Sequence, residues 1–151
     1  MPKTDPETLQ NFSDAWAEIV HISVSALKAH DRAGEYLRRE NIPQASRELK
    51  KCEESASGIV THTFNLRLDA QSGSDRDFLI AINKVGDGLE SVCKSARSYL
   101  TTKSPADFAD AKTHFTNVVE GIVQAETLAR LKYQRLGGNP ETLLSFRTAL
   151  R

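Results

Sequence analysis

The chain has 151 residues, with 20 Lys+Arg balanced by 20 Asp+Glu, so its formal net charge is zero. That length points to one domain with a core of its own. The charge balance argues against a nucleic-acid clamp or a basic membrane-surface protein, both of which need a sustained positive field.

Thr4-Asp5-Pro6-Glu7 reads as a capping box with proline in the first turn, where its missing N–H is harmless. An apolar stripe follows through Leu9, Phe12, Trp16, Ile19, Ala26 and Leu37 at helical spacing, which predicts a first helix over about 5–40. Asn41-Ile42-Pro43-Gln44 stops it and caps a second helix, about 43–70, whose face carries Ala45, Leu49, Cys52, Ala56, Ile59 and Leu66. Ser74-Asp75-Arg76-Asp77 opens a third, about 75–100. Its stripe of Phe78, Ile82, Val85, Leu89, Val92, Ala96 and Tyr99 is the cleanest heptad signal in the chain. Ser104-Pro105-Ala106-Asp107 starts a fourth, about 105–136, with Phe108, Ala111, Phe115, Val118, Ile122, Ala125 and Ala129 in line, closed by Gly137-Gly138. Asn139-Pro140-Glu141 caps a short fifth helix, about 140–150, holding Leu143, Leu144, Phe146 and Leu150.

No segment reads as a strand. Long helices joined by short turns must lie antiparallel to their neighbours. The predicted fold is all-α: a single-domain, up-down-up-down four-helix bundle with a short C-terminal fifth helix. One internal echo stands out: Tyr36 precedes Pro43 by the interval that separates Tyr133 from Pro140, with Arg38 and Arg135 between them. The echo does not extend into a second copy of the hairpin that Ala33–Ser55 resembles, a single tetratricopeptide-like unit, so it reads as shared turn chemistry rather than a solenoid.

The familiar catalytic motifs are missing. Glu18-Ile19-Val20-His21 has the spacing of a di-iron carboxylate helix, but His21 falls opposite the apolar stripe and reads as a solvated surface residue. Gly86-Asp87-Gly88 lacks the third glycine and the preceding strand of a dinucleotide fingerprint. Each of those glycines costs about 1 kcal/mol against alanine inside a helix, so the pair marks a close approach of a neighbour, a kink, a partner docking on that face or a locally weakened surface turn. Cys52 and Cys93 are too few for a disulfide framework. With no leader-like or membrane-spanning apolar run, the expectation is a cytoplasmic, reducing setting.

Counting along the helices from the end shared by the first and third turns, His30, Cys52, Cys93 and His114 fall at a common height, one from each helix. Two thiolates and two imidazoles form a tetrahedral zinc set and also suit iron or copper. The alternative is plain core with no cofactor, since cysteine is commonly buried as a small hydrophobe. His30-Asp31-Arg32-Ala33-Gly34 also resembles the segment of histidine-phosphotransfer bundles in which a histidine is followed four residues on by glycine. That resemblance implies a phosphoryl-accepting His30, although Ala33 stands where those modules carry lysine.

The C-terminal segment is too short to be stable alone. Leu143, Leu144, Phe146 and Leu150 must therefore cover the bundle, a second copy or a partner. Function is expected to be non-enzymatic: a bundle acting through protein–protein contact or self-association. The alternatives are a metal- or small-ligand-binding bundle and a phosphotransfer-like one.

Overall fold

The computed structural model describes residues 5–151 and divides them into five α-helices: α1 (Pro6–Arg38), α2 (Ile42–Thr63), α3 (Gly73–Thr102), α4 (Pro105–Arg135) and α5 (Phe146–Leu150). Short 3-10 turns lie at Phe64–Leu66 and Pro140–Thr142, and no strand occurs among the described residues. The all-α bundle is as the periodicity predicts. No described helix is long and apolar enough to cross a membrane.

The helices begin where the caps are. Asp5 Oδ1 accepts from the Glu7 N–H at 3.1 Å, and Thr4 lies outside the described residues. Asn41 Oδ1 accepts from the Gln44 N–H at 3.3 Å. The third helix starts earlier than predicted: Ser72, not Ser74, is its cap, with its hydroxyl accepting from the Asp75 N–H at 3.3 Å. Asp75 is then freed for another task. Its carboxylate is 2% exposed and accepts from the Asp69 N–H at 2.7 Å and Lys132 Nζ at 2.9 Å, tying the α2–α3 loop to α4.

The repeated Tyr-to-Pro interval is a repeated helix stop. The Tyr36 carbonyl accepts from the Asn41 N–H at 2.8 Å and the Tyr133 carbonyl from the Gly138 N–H at 2.9 Å, the same six-to-one closure at the ends of α1 and α4. Glu40 and Gly137 supply the left-handed residue that each closure needs, at φ 58° and 98°. Two predicted boundaries move. The second helix ends at Thr63 because the chain tightens into the Phe64–Leu66 turn and reverses at Arg67, φ 53°. The fifth helix splits, since Leu143 and Ser145 are extended and only Phe146–Leu150 is α-helical.

α1 packs on α2, α2 on α3 and α3 on α4, whereas α1 and α4 barely touch. The α3–α4 contact is close because two glycines make it so. A Cβ at Gly88 would sit 2.7 Å from Val118 Cγ2, and one at Gly121 would sit 2.9 Å from Lys84 Cβ and 3.2 Å from the Ala81 carbonyl oxygen. Of the readings open for Gly88, close approach is the one observed.

Candidate functional site: an apolar cleft in the α1–α4 seam

The seam between α1 and α4 is filled at one end by the chain's own C-terminus. There Trp16 is fully buried among Phe78 and Phe146, at ring-centroid distances of 5.8 and 5.7 Å, while Phe12 stacks on Tyr133 at 5.9 Å. The extended residues before α5 leave the Leu144 carbonyl free to accept from Trp16 Nε1 at 2.8 Å. On the other side, Glu126 Oε1 accepts from the Phe146 N–H at 2.7 Å. The segment is thus bonded to α1 and to α4. Leu143 and Phe146 are buried in this chain's own core, Leu144 packs against it, and only Leu150 of the four remains exposed. Of the three covers that the sequence leaves open for this face, the chain's own bundle takes most of it.

Nothing fills the other end. His30 on α1 stacks on Phe115 of α4 across the seam at 5.4 Å. Beyond that pair an open cleft of about 420 Å³ runs to the end of the bundle that carries the α1–α2 and α3–α4 turns. Its walls come from all four long helices: Ala33 and Leu37 of α1, Ala45 and Leu49 of α2, Ala96 and Tyr99 of α3, and Phe108, Ala111 and Phe115 of α4. The cleft exists because each helix contributes an alanine to one layer, so facing side chains do not meet across it.

The sequence places most of these residues in the core, and the structure does not bury several of them. Leu37, Phe108 and Phe115 are 37%, 51% and 36% exposed, while Ala96, Tyr99 and Ala111 are half-buried. The long-helix stripe positions left open cluster at this one end; elsewhere Leu9, near the start of α1, and Ile122 are only half-buried. Lys112 is the one charged side chain on the cleft wall, and nothing in the sequence singles it out. The signal that was available was the row of alanines at one height.

The four residues of the suggested metal layer do not converge. Cys52 and Cys93 are fully buried and joined to each other across the α2–α3 contact, Cα to Cα 6.5 Å. This corrects the expectation that two cysteines stand outside any disulfide. Sulfurs so joined offer no thiolate, the form that binds metal. His30 turns onto Phe115. His114 opens instead onto a shallow outer groove of the α3–α4 pair beside Asp87 and Asn117. Among the described residues no three His, Cys, Asp or Glu side chains gather in one place. Burial pushes the His30 imidazole below its usual value, with the Asp31 carboxylate offsetting part of the effect. Glu18 and His21 are exposed.

One further ionic contact holds the cleft's α1 wall. Burial alone would raise the Glu48 carboxyl, but hydrogen bonds from Arg32 Nε at 2.9 Å and Lys51 Nζ at 3.3 Å outweigh it and hold the group below the usual carboxylate range. The Arg32–Glu48 pair joins α1 to α2 beside Ala33 and Leu49.

No family model, no curated protein and no solved structure matches this chain. The cleft's own geometry and chemistry therefore carry the functional argument.

Proposed function

We propose that this chain is a non-enzymatic binding bundle and that the α1–α4 cleft is its site, taking up a small apolar group from solution. The observation behind this reading is the set of stripe residues, Leu37, Phe108 and Phe115 among them, that carry core chemistry yet face an open space. Apolar surface left in water forgoes about 25 cal/mol for each Å², and a helix stripe that continues past the point of cover calls for an occupant. The volume lies within the roughly 300–1,000 Å³ range of small-molecule sites, and the lining follows their usual pattern of apolar walls with a few polar groups.

The test is titration with N-phenyl-1-naphthylamine, a neutral probe that fluoresces in apolar surroundings. One probe per chain is expected to bind, and Ala111→Leu, which fills the alanine layer, is expected to abolish binding while leaving thermal stability intact. Failure of the probe to bind, or equal binding by the filled variant, overturns the proposal.

One observation favours a second reading, in which the occupant is the apolar face of a protein partner. On α4 the exposed side chains continue past the cleft from Phe115 to Val119 and Val123, 47% and 61% exposed, at i, i+4 and i+8. Such a row suits a helix laid along the seam. Val119→Ser with Val123→Ser would then abolish partner capture and leave probe binding unchanged.

A further inference from the structure

Two rings and the Lys112 ammonium stand on the cleft wall, and Lys103 lies against the Tyr99 ring. Tyr99 and Phe108 face each other at 5.5 Å. Lys112 Nζ lies 5.4 Å from the Phe108 ring centroid, and Lys103 Nζ lies 5.5 Å from that of Tyr99. Neither ammonium forms an ion pair among the described residues, and the Tyr99 hydroxyl makes no hydrogen bond there. Of the carboxylates near the rim, Asp107 and Glu35 have partners and Asp110 has none among the described residues. Asp107 accepts from the Ser98 and Thr102 hydroxyls at 2.9 and 2.7 Å, and Glu35 pairs with Arg38.

The two ammonium groups lie over the ring faces, where the ring quadrupole attracts a cation. Apolar walls ending at unpaired ammonium groups and a free phenol favour a ligand with an apolar body and one anionic head. His30, at the inner end, is stacked on Phe115 and presents a flat ring face to the tail.

We infer that the cleft takes a small carboxylate with an aliphatic tail, the tail lying along the alanine layer and the head meeting Lys112 and the Tyr99 hydroxyl. The inference rests on the reading of the cleft as a binding site and adds the chemical class of its ligand.

Calorimetric titration at low salt tests it with three probes of one chain length, each below its micelle concentration: decanoate, decanol and decyltrimethylammonium. Decanoate is expected to bind one per chain and about tenfold more tightly than decanol, with the cationic probe weakest. Lys112→Gln, at the surface and harmless to the fold, is expected to bring decanoate to the level of decanol and leave decanol unchanged. Equal binding of decanoate and decanol, or a preference that survives Lys112→Gln, overturns the carboxylate assignment. The cleft reading stands in that case if Ala111→Leu blocks both probes. Absence of binding by all three probes overturns both readings together.

Discussion

The Cys52–Cys93 bond is expected to supply a large share of this protein's stability, and the share follows from its place in the chain. The two residues are 41 positions apart. In the chain-entropy account, a cross-link closing a loop of that length removes about 13 cal/mol/K from the unfolded ensemble, or about 4 kcal/mol at 25 °C. For a chain of this size, that corresponds to a melting temperature lower by about 12 °C once the bond is opened. Both sulfurs are fully buried, so reductant added to the folded protein is expected to act slowly. The comparison therefore requires unfolding in denaturant with and without reductant, followed by refolding under each condition. Urea titration should show a lower midpoint and a steeper slope for the reduced protein, because its unfolded chain is more expanded and exposes more surface. Matching midpoints would refute the reasoning. So would alkylation of two thiols in protein denatured without reductant, since the cysteines would then be unjoined.

Three other outcomes follow from the packing. Gly121→Ala is expected to destabilise by about 1–3 kcal/mol in thermal melts, because its Cβ meets the α3 backbone at Ala81. Gly58→Ala, whose nearest neighbour would be Ile22 Cδ1 at 3.9 Å, is expected to gain up to about 1 kcal/mol. Trp16→Phe leaves the Leu144 carbonyl without its donor and is expected to cost about 1–3 kcal/mol, with faster amide exchange confined first to 143–151. The Glu48 carboxyl lies below its unfolded value, so its stabilising contribution is full above the unfolded carboxyl value and is lost as pH falls through the folded one. Glu48→Gln should therefore be less stable than the parent at neutral pH and should show a shallower loss of stability with acid. An unchanged acid slope would show that the Arg32–Glu48–Lys51 cluster contributes nothing.

Most of the fold was legible because the caps and stripes agree. Asn41 and Asn139 each accept the backbone bond that their position predicts, Asp5 rather than Thr4 accepts at the start of α1, and the buried faces of α1, α2 and α3 follow the spacing of their apolar residues over most of their length. Leu66 was misread because it continues the stripe of α2 and is buried, yet it sits in a 3-10 turn that periodicity does not separate from an α-helix. The site was harder for a different reason. Spacing says which face of a helix turns inward and says nothing about whether a neighbour is there to meet it. Phe108 and Phe115 have the right spacing for core and lie where α1 and α4 have parted. The metal layer shows the same gap, since counting along the helices says nothing of the direction in which each side chain points. Cys52 and Cys93 meet because α2 and α3 are neighbours, whereas His114 turns to the outer side of α3.

The covalent bond also sets the two inner helices of the bundle apart from the two outer ones. It joins α2 and α3, the two helices that each pack on two others. α1 and α4 are each packed chiefly on one helix and form the outer walls of the cleft, rather like covers on a stapled spine. At the Trp16 end the covers are held together by the C-terminal segment, and at the turn end only the His30–Phe115 pair bridges them. Across the α1–α4 seam the bundle is therefore tied more heavily at the Trp16 end than at the turn end.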